Sequence, residues 1–121
     1  IPADRIILGV PNYGYDWPLP YVKGSTKARS ISNVEAVQLA VRTGATIQYD
    51  ETAQSPWFSY MDAQGQAHEV WFEDARSIRA KLLLPKEYGL KGVGYWNLMR
   101  EFPQNWSVLN SMYYVGPYIN L

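Results

Sequence analysis

The chain contains no cysteine, which excludes disulfide bonds and thiolate-held metals but leaves the cellular compartment open. Its single histidine, His68, has no second histidine or cysteine with which to share a metal ion, so an ordinary strand or surface residue is expected there, with no metal and no cofactor. No apolar run approaches the roughly 18 residues of a membrane span. Neither sign of charge is in excess, with 11 basic and 11 acidic residues. Nucleic acid and anionic membrane both select a basic face, so neither is expected as a partner. An initiator methionine and a signal peptide are also missing, and the start Ile1-Pro2-Ala3 reads as a segment of something longer.

Aromatic residues, by contrast, are abundant: 15% of 121 residues, with five Trp and ten Tyr. Hydrophobic residues make up 47%, enough for one core at a length typical of one domain. Near the N-terminus, Ile6, Ile7 and Leu8 run without polar alternation, as in a strand buried on both faces, and Pro11 ends the ladder because it has no N–H to donate. The prolines and glycine of residues 18–27 mark a loop. Ser32 and Glu35 form the two ends of a capping box, Val34, Val37 and Val41 recur at helical spacing, and Gly44 supplies the stop. Next, "ATIQYD", "PWFSYM" and "AHEVWF" around the turn "DAQGQ" predict a hairpin or three-stranded antiparallel meander.

"EDARSIRAKLLLPKEYGL" predicts a second helix, with Glu73 and Asp74 in its first turn, a buried stripe at Ala75, Ile78 and Leu82, and a kink or end at Pro85. "GVGYWNL" (Gly92–Leu98) follows as another apolar strand whose glycines need a reason, since glycine weakens a strand unless something approaches its backbone. A last short helix is expected in "NWSVLNSMYY", with Trp106 packed beneath it. The outer parts thus read as strand, crossover helix and parallel strand, and a parallel pair is stable only inside a larger sheet.

Three motifs in order, "ILGVPNYGYDW", "WFEDARSIRAKL" and "GVGYWNL", resemble the C-terminal end of a glycoside hydrolase family 18 catalytic domain. In that family the seventh barrel strand ends in G-x-P-x-Y-G, matched by Gly9 to Gly14. An α+β insertion follows, then Y-D-D-x-x-S-x-x-x-K, matched by Phe72, Glu73, Asp74, Ser77 and Lys81, and the eighth strand ends in an aromatic, matched by Trp96. The resemblance implies an α/β fold: the last two strands and helices of a (β/α)8 TIM barrel, with a small α+β insertion domain between strand 7 and helix 7. The corresponding parts are residues 1–17 for strand 7 and its loop, 18–71 for the insertion, and 72–121 for helix 7, strand 8 and the C-terminal helix. "HEVWFEDARSI" and "GYWNL" followed by "FPQNW" resemble most closely the bacterial spore cortex-lytic N-acetylglucosaminidases, often joined to LysM modules that are not seen here. Two departures stand out: Tyr15 occupies a position where many chitinases have arginine, and the insertion is shorter than in processive chitinases, implying a shallower cleft wall.

The family's chemistry is substrate-assisted retaining hydrolysis, in which the substrate's own 2-acetamido group is the nucleophile and one glutamate is the general acid. That glutamate ends a D-x-x-D-x-D-x-E motif on the fourth strand, and none of Glu35, Glu51, Glu69, Glu73, Glu87 and Glu101 follows such a ladder. No catalytic residue is therefore expected in this chain, which alone should be inactive; the remainder of the barrel, upstream in the parent chain, is the implied partner. What the resemblance leaves here is half a sugar cleft for β-1,4-linked N-acetylglucosamine polymers, spore cortex peptidoglycan favoured over chitin. Barrel active sites lie at the C-terminal ends of the strands, so the implied substrate-binding residues are Trp96, Tyr13, Asp16, Trp17 and Asn97, with Glu73, Asp74 and Tyr60 at the cleft rim. If Trp96 faces the barrel interior, alternation sends Gly92 and Gly94 with it and turns Val93 and Tyr95 toward the helices; the same phase carried from Gly9 and Pro11 would place Tyr13 inward. Trp57 and Trp71 are expected in the core of the insertion. Two other readings compete: a non-catalytic, lectin-like carbohydrate-binding relative, and a structural or interaction module. The resemblance implies an extracellular, spore- or wall-associated bacterial protein, and bare strand edges imply self-association of the isolated piece.

Overall fold

A computed structural model describes residues 1–115. In chain order its elements are β1 (Ile7–Pro11), β2 (Tyr13–Pro18), β3 (Arg29–Ser32), α1 (Asn33–Thr43), β4 (Gln48–Asp50), β5 (Ser55–Met61), β6 (Ala67–Trp71), α2 (Ala75–Tyr88), β7 (Gly92–Trp96) and α3 (Pro103–Met112). They make a mixed α/β fold with two sheets: a parallel pair, β1–β7, and a five-stranded antiparallel sheet in the order β3-β2-β6-β5-β4.

The parallel pair is in register from Ile7 opposite Gly92 to Pro11 opposite Trp96. On one face Leu8, Val10, Val93 and Tyr95 pack with Ile78 and Leu82 of α2 and with Phe102, which precedes α3. The other face carries Ile7, Gly9 and Pro11 beside Gly92, Gly94 and Trp96. The alternation read from "GVGYWNL" therefore holds, with Val93 and Tyr95 toward the helices. Burial on both faces does not hold among the described residues, where Ile7 is 58% exposed because nothing covers the second face.

α2 departs from expectation at both ends. Asp74 is its N-cap, so Glu73 and Asp74 precede the first turn rather than lie in it: Asp74 Oδ1 accepts from the Ser77 N–H at 2.8 Å and Ser77 Oγ accepts from the Asp74 N–H at 2.9 Å. Pro85 neither kinks nor ends the helix, which runs on to Tyr88. It sits in the last turns with its ring buried, and the Pro85 carbonyl accepts from the N–H groups of both Gly89, in the left-handed conformation, and Leu90. Loss of one ladder bond there is offset by packing and by this C-terminal cap.

In α1 the Ser32 hydroxyl accepts from the Glu35 N–H at 3.0 Å, as the capping box requires, while the Glu35 carboxylate pairs instead with Arg29 at 3.0 Å. The valines at helical spacing are a misleading stripe: Val34, Val37 and Val41 face outward, and the helix buries Ala36, Leu39 and Ala40. Two alanines let its backbone come close to Ile31, Phe58, Val70 and Phe72 on the sheet. The antiparallel sheet is also larger than the expected meander, because β2 and β3 join it. Residues 13–17, expected at the end and loop of the first strand, form together with Pro18 a strand of the second sheet.

β2 and β6 approach closely at Gly14, where a Cβ would stand 2.3 Å from the Trp71 carbonyl oxygen and 2.7 Å from Phe72 Cβ. Further along the same face, Asp16 is 3% exposed and accepts hydrogen bonds from Tyr60 Oη at 2.6 Å and from His68 Nδ1 at 2.8 Å, with Arg29 at 3.7 Å. His68 Nε2 reaches Asp62 at 2.9 Å, and the imidazole stacks on Tyr60 at 4.8 Å. Burial pulls the His68 pKa down, but the bonds to Asp62 and Asp16 outweigh it and hold the imidazolium above its ordinary value. Asp62 also closes the β5–β6 turn by accepting from the Gln64 and Gln66 N–H groups, with Gly65 in the left-handed conformation.

Two outcomes follow from this packing. Gly14→Ala is expected to destabilise the protein by at least roughly 1–3 kcal/mol through forced backbone displacement, read from denaturant unfolding; an unchanged midpoint would refute the close approach. Because the folded-state pKa of His68 is raised above 6.5, its stabilisation is complete below that value and lost as pH rises through the higher, folded one. The melting temperature should therefore fall as pH rises above 6.5 and through the higher folded-state value, and His68→Gln should flatten that fall. Parallel profiles for the two proteins would show that His68 is not the group responsible.

Candidate functional site

At the C-terminal end of the parallel pair, Trp96 is 74% exposed on the face away from the helices. The row beneath it is glycine: Gly9 opposite Gly94, with only Ile7 Cγ2 within 4 Å of where a Gly94 side chain would begin. The indole thus stands over open space, with its own strand partner Pro11 alongside. Asn12, absent from the expected site residues, fixes this end. Its side chain is fully buried, its carboxamide oxygen accepts from the Asn97 N–H at 3.1 Å and its amide donates to the Asn97 carbonyl. Asn97 follows Trp96 directly, but its own carboxamide oxygen accepts from the Met99 N–H at 2.7 Å and so shapes the turn.

Tyr13 begins β2 just after Asn12, where the chain passes from the parallel pair into the antiparallel sheet. From there side chains alternate across the antiparallel sheet. Tyr13, Tyr15 and Trp17 lie on the outer face, with ring centroids 5.6 and 6.0 Å apart, and Trp17 continues to Tyr21 at 5.7 Å. Across the strands Tyr15 is opposite Trp71, which is opposite Trp57, and the two indoles stack at 5.7 Å. Trp57 and Trp71 were expected as core of the insertion; they belong to this outer aromatic face instead, because α1 covers the other side. A cavity of ≈ 200 Å³ opens here, lined among others by Pro11, Tyr13, Tyr15, Ser55, Trp71 and Glu73.

Asp16 and Tyr60 fall on the opposite face. Adjacent residues in a strand point to opposite sides, so Asp16 and Trp17 cannot line one cleft together. Asp16 is buried in the bracket with Tyr60 and His68, and burial together with the Asp16 bond raises the Tyr60 pKa, leaving its hydroxyl a donor to that carboxylate.

Glu73 is 6% exposed, accepts from Ser77 Oγ at 2.6 Å and pairs with Lys81 at 3.0 Å. Burial raises its pKa, opposed by Ser77 and by the Lys81 ammonium. The Glu73 N–H donates to Asn33 Oδ1 at 2.8 Å, and Lys81 Nζ reaches the Gln54 carbonyl at 3.4 Å. Glu73 and Lys81 therefore tie α2 to α1 and to the β4–β5 turn, while Asp74 caps the helix. The geometry gives both acids anchoring work. A separate groove of ≈ 240 Å³ between α1 and the starts of α2 and α3, lined by Val34, Val37, Phe72 and Phe102, takes up part of the outward valine stripe.

Of the expected site residues, Trp96 and Tyr13 flank the Asn12 clamp, Trp17 lies along the same outer track, Asn97 forms the turn, and Asp16 and Tyr60 are turned away. Tyr15, Glu69 and Trp71 share the outer face without belonging to the expected site residues; the aromatic residues at positions 13, 15 and 17 are the alternation signal that identifies it. Among the described residues no cluster of three metal-ligating side chains occurs.

The family model described as glycosyl hydrolases family 18 matches residues 1–101. A cortical fragment-lytic enzyme of Bacillus subtilis (strain 168) is 52% identical over 115 residues, which are 95% of this chain and 27% of that protein. The crystal structure of the spore cortex-lytic enzyme SleL of Bacillus megaterium QM B1551 superposes with a TM-score of 0.91 at 49% identity, covering 98% of this chain and 28% of the other. A chitinase from Chromobacterium violaceum ATCC 12472 gives a TM-score of 0.81 at 34% identity, covering 91% of this chain and 33% of that one. The chain thus spans little more than a quarter of the length of its cortex-lytic relatives. With a match over most of its residues, it belongs to glycosyl hydrolases family 18.

Proposed function

We propose that this chain is the C-terminal part of a family 18 catalytic domain that cleaves β-1,4-linked N-acetylglucosamine polymers, with spore cortex peptidoglycan favoured over chitin. In this reading β1 and β7 are the last two strands of a (β/α)8 barrel, α2 and α3 are helices of its outer layer, and the antiparallel sheet with α1 is the insertion between them. The open face of β1–β7 looks into the barrel, and the upstream strands of the parent cover Ile7. The exposed indole of Trp96, at the C-terminal end of a parallel strand and above a row of glycines, carries the reading. Such a ring offers a flat apolar surface to the C–H face of a pyranose, while the absence of side chains beneath leaves depth for the sugar.

The chemistry follows from the family resemblance: the 2-acetamido oxygen attacks the anomeric carbon as an upstream glutamate protonates the leaving oxygen, and water then opens the cyclic intermediate with retention. This chain's residues bind and orient. Trp96 carries the sugar beside the scissile bond, Tyr13 flanks it, and the Asn12 clamp on Asn97 fixes the two strand ends relative to each other. Glu73 and Lys81 hold the aromatic wall against α2. The identity to cortical fragment-lytic enzymes supports a spore- or wall-associated setting.

Trp96→Ala in the full-length protein is expected to lower kcat/KM on N-acetylglucosamine oligomers by about 10²-fold or more while leaving the fold intact, measured by release of reducing ends. Wild-type activity in that variant would overturn the sugar-platform role, and oligomer binding without any hydrolysis by the wild type would favour a lectin-like protein. Expressed by itself, the 121-residue chain should hydrolyse nothing and should self-associate through the bare edges of β1 and β7. A strictly monomeric particle by light scattering would count against that arrangement.

A further inference from the structure

Beyond the aromatic track near Trp96, the outer face of the antiparallel sheet ends in a second pocket of ≈ 400 Å³ lined by Trp17, Leu19, Tyr21, Glu69 and Trp71. Three of its walls are aromatic rings, and those of Trp17 and Tyr21 meet nearly at right angles, 75°, with centroids 5.7 Å apart. The Glu69 carboxylate is the one charged group of the lining, beside the Tyr21 hydroxyl. One oxygen accepts from the Trp71 indole N–H at 2.6 Å, which fixes both groups and uses up that donor. Among the described residues no lysine, arginine or histidine forms an ion pair with Glu69. The pocket therefore offers aromatic faces and one uncompensated negative charge.

A neutral sugar bearing hydroxyl and acetamido groups needs both donors and acceptors around it. A cation needs what this pocket has: ring faces whose negative quadrupole attracts it, and a carboxylate as counter-ion. We propose that the pocket binds the ammonium group of a glucosamine unit, an N-acetylglucosamine whose acetyl group has been removed, within the same glycan strand. This rests on the reading that the strand crosses Trp96. The route between the two places is continuous: Trp96 is the partner of Pro11, Pro11 lines the ≈ 200 Å³ cavity with Tyr13, Tyr15 and Trp71, and Trp71 lines the second pocket as well. From Tyr13 to Trp17 the strand covers about 14 Å, so the ammonium lies several sugar rings from the residue on Trp96. A sugar amine suits this place better than a flexible alkyl amine, because a pyranose carrying the charge can stack on Trp17 or Trp71 while its ammonium meets Glu69. The consequence is recognition of partly de-N-acetylated polymer: an acetylated unit for the site at Trp96 and a free amine further along.

The test compares four-sugar oligomers of glucosamine and of N-acetylglucosamine, titrated by calorimetry into the full-length protein and into Glu69→Gln, Trp17→Ala and Trp96→Ala. The glutamine keeps an oxygen for the Trp71 indole and removes only the charge. Glu69→Gln should weaken the glucosamine oligomer about tenfold and leave the N-acetylated one within about twofold, and rising salt should weaken the former alone. Trp17→Ala should follow the same pattern, while Trp96→Ala weakens both oligomers. Equal effects of Glu69→Gln on both oligomers, or on neither, overturn the proposal, as does failure of the glucosamine oligomer to bind the wild type. Tighter, Glu69-dependent binding of Nα-acetyl-lysine methylamide would assign the pocket to a peptide amine and overturn the sugar assignment. If Trp96→Ala spares both oligomers while Glu69→Gln still discriminates, the reading of Trp96 fails and the ammonium pocket stands.

Discussion

Asn12 is the one residue between β1 and β2, and its buried carboxamide holds both backbone groups of Asn97 at the far end of β7. A single side chain thereby does what another ladder rung would do, at the point where the backbone must leave the parallel pair and enter the antiparallel sheet. Unpaired backbone groups at that depth would be costly, so the side chain that satisfies them also decides where the two strands stop. Trp96 lies immediately before the clamp on one strand and Tyr13 immediately after it on the other. The position of the aromatic ring over the glycine row depends on this junction more than on the ring's own contacts.

The second sheet separates two kinds of work by strand alternation. Its inner face holds Gly14 against β6 and the Asp16–His68–Asp62 bracket with Tyr60, all of it covered or hydrogen-bonded. Its outer face presents Tyr13, Tyr15, Trp17, Trp57 and Trp71. The inner face thus combines the apolar core under α1, with Ile31, Phe58 and Val70, with anchoring polar groups at its edge, while the broad rings gather on the outer face. These half-buried rings pack on one another edge to face, tilted or stacked, which shields part of their apolar surface from water. Glu73 and Lys81 then set how this sheet sits on α2, linking the outer aromatic wall to the strand that carries Trp96.

Much of the local structure was legible beforehand. Ser32 and Gly44 mark the ends of α1, Gly65 marks the hairpin turn, and the glycine–aromatic alternation of β7 has the face and phase that its residues imply. Where the structure departs from the local pattern, one cause recurs: the pattern does not carry which neighbours are available. Val34, Val37 and Val41 have helical spacing, yet the sheet accepts the slimmer Ala36–Leu39–Ala40 side. Pro85 ought to break a helix, yet its lost hydrogen bond falls in a turn that Gly89 and Leu90 close again. Asp16 and Trp17 would share one cleft only on a loop, whereas a strand parts them to opposite faces.

The sequence by itself determined the family, through three motifs in order, and with it the expectation of a sugar on Trp96 and of an acid supplied from elsewhere. It also determined the capped helix ends, since a cap is a property of four or five consecutive residues. Only the tertiary structure decided which sheet residues 13–18 join, which side of that sheet is covered, and that Glu69 and Trp71 meet Trp17 and Tyr21 at a common pocket. Those outcomes depend on pairing between segments some fifty residues apart in sequence, where small differences in close approach, such as a Cβ absent at Gly14, select one partner over another.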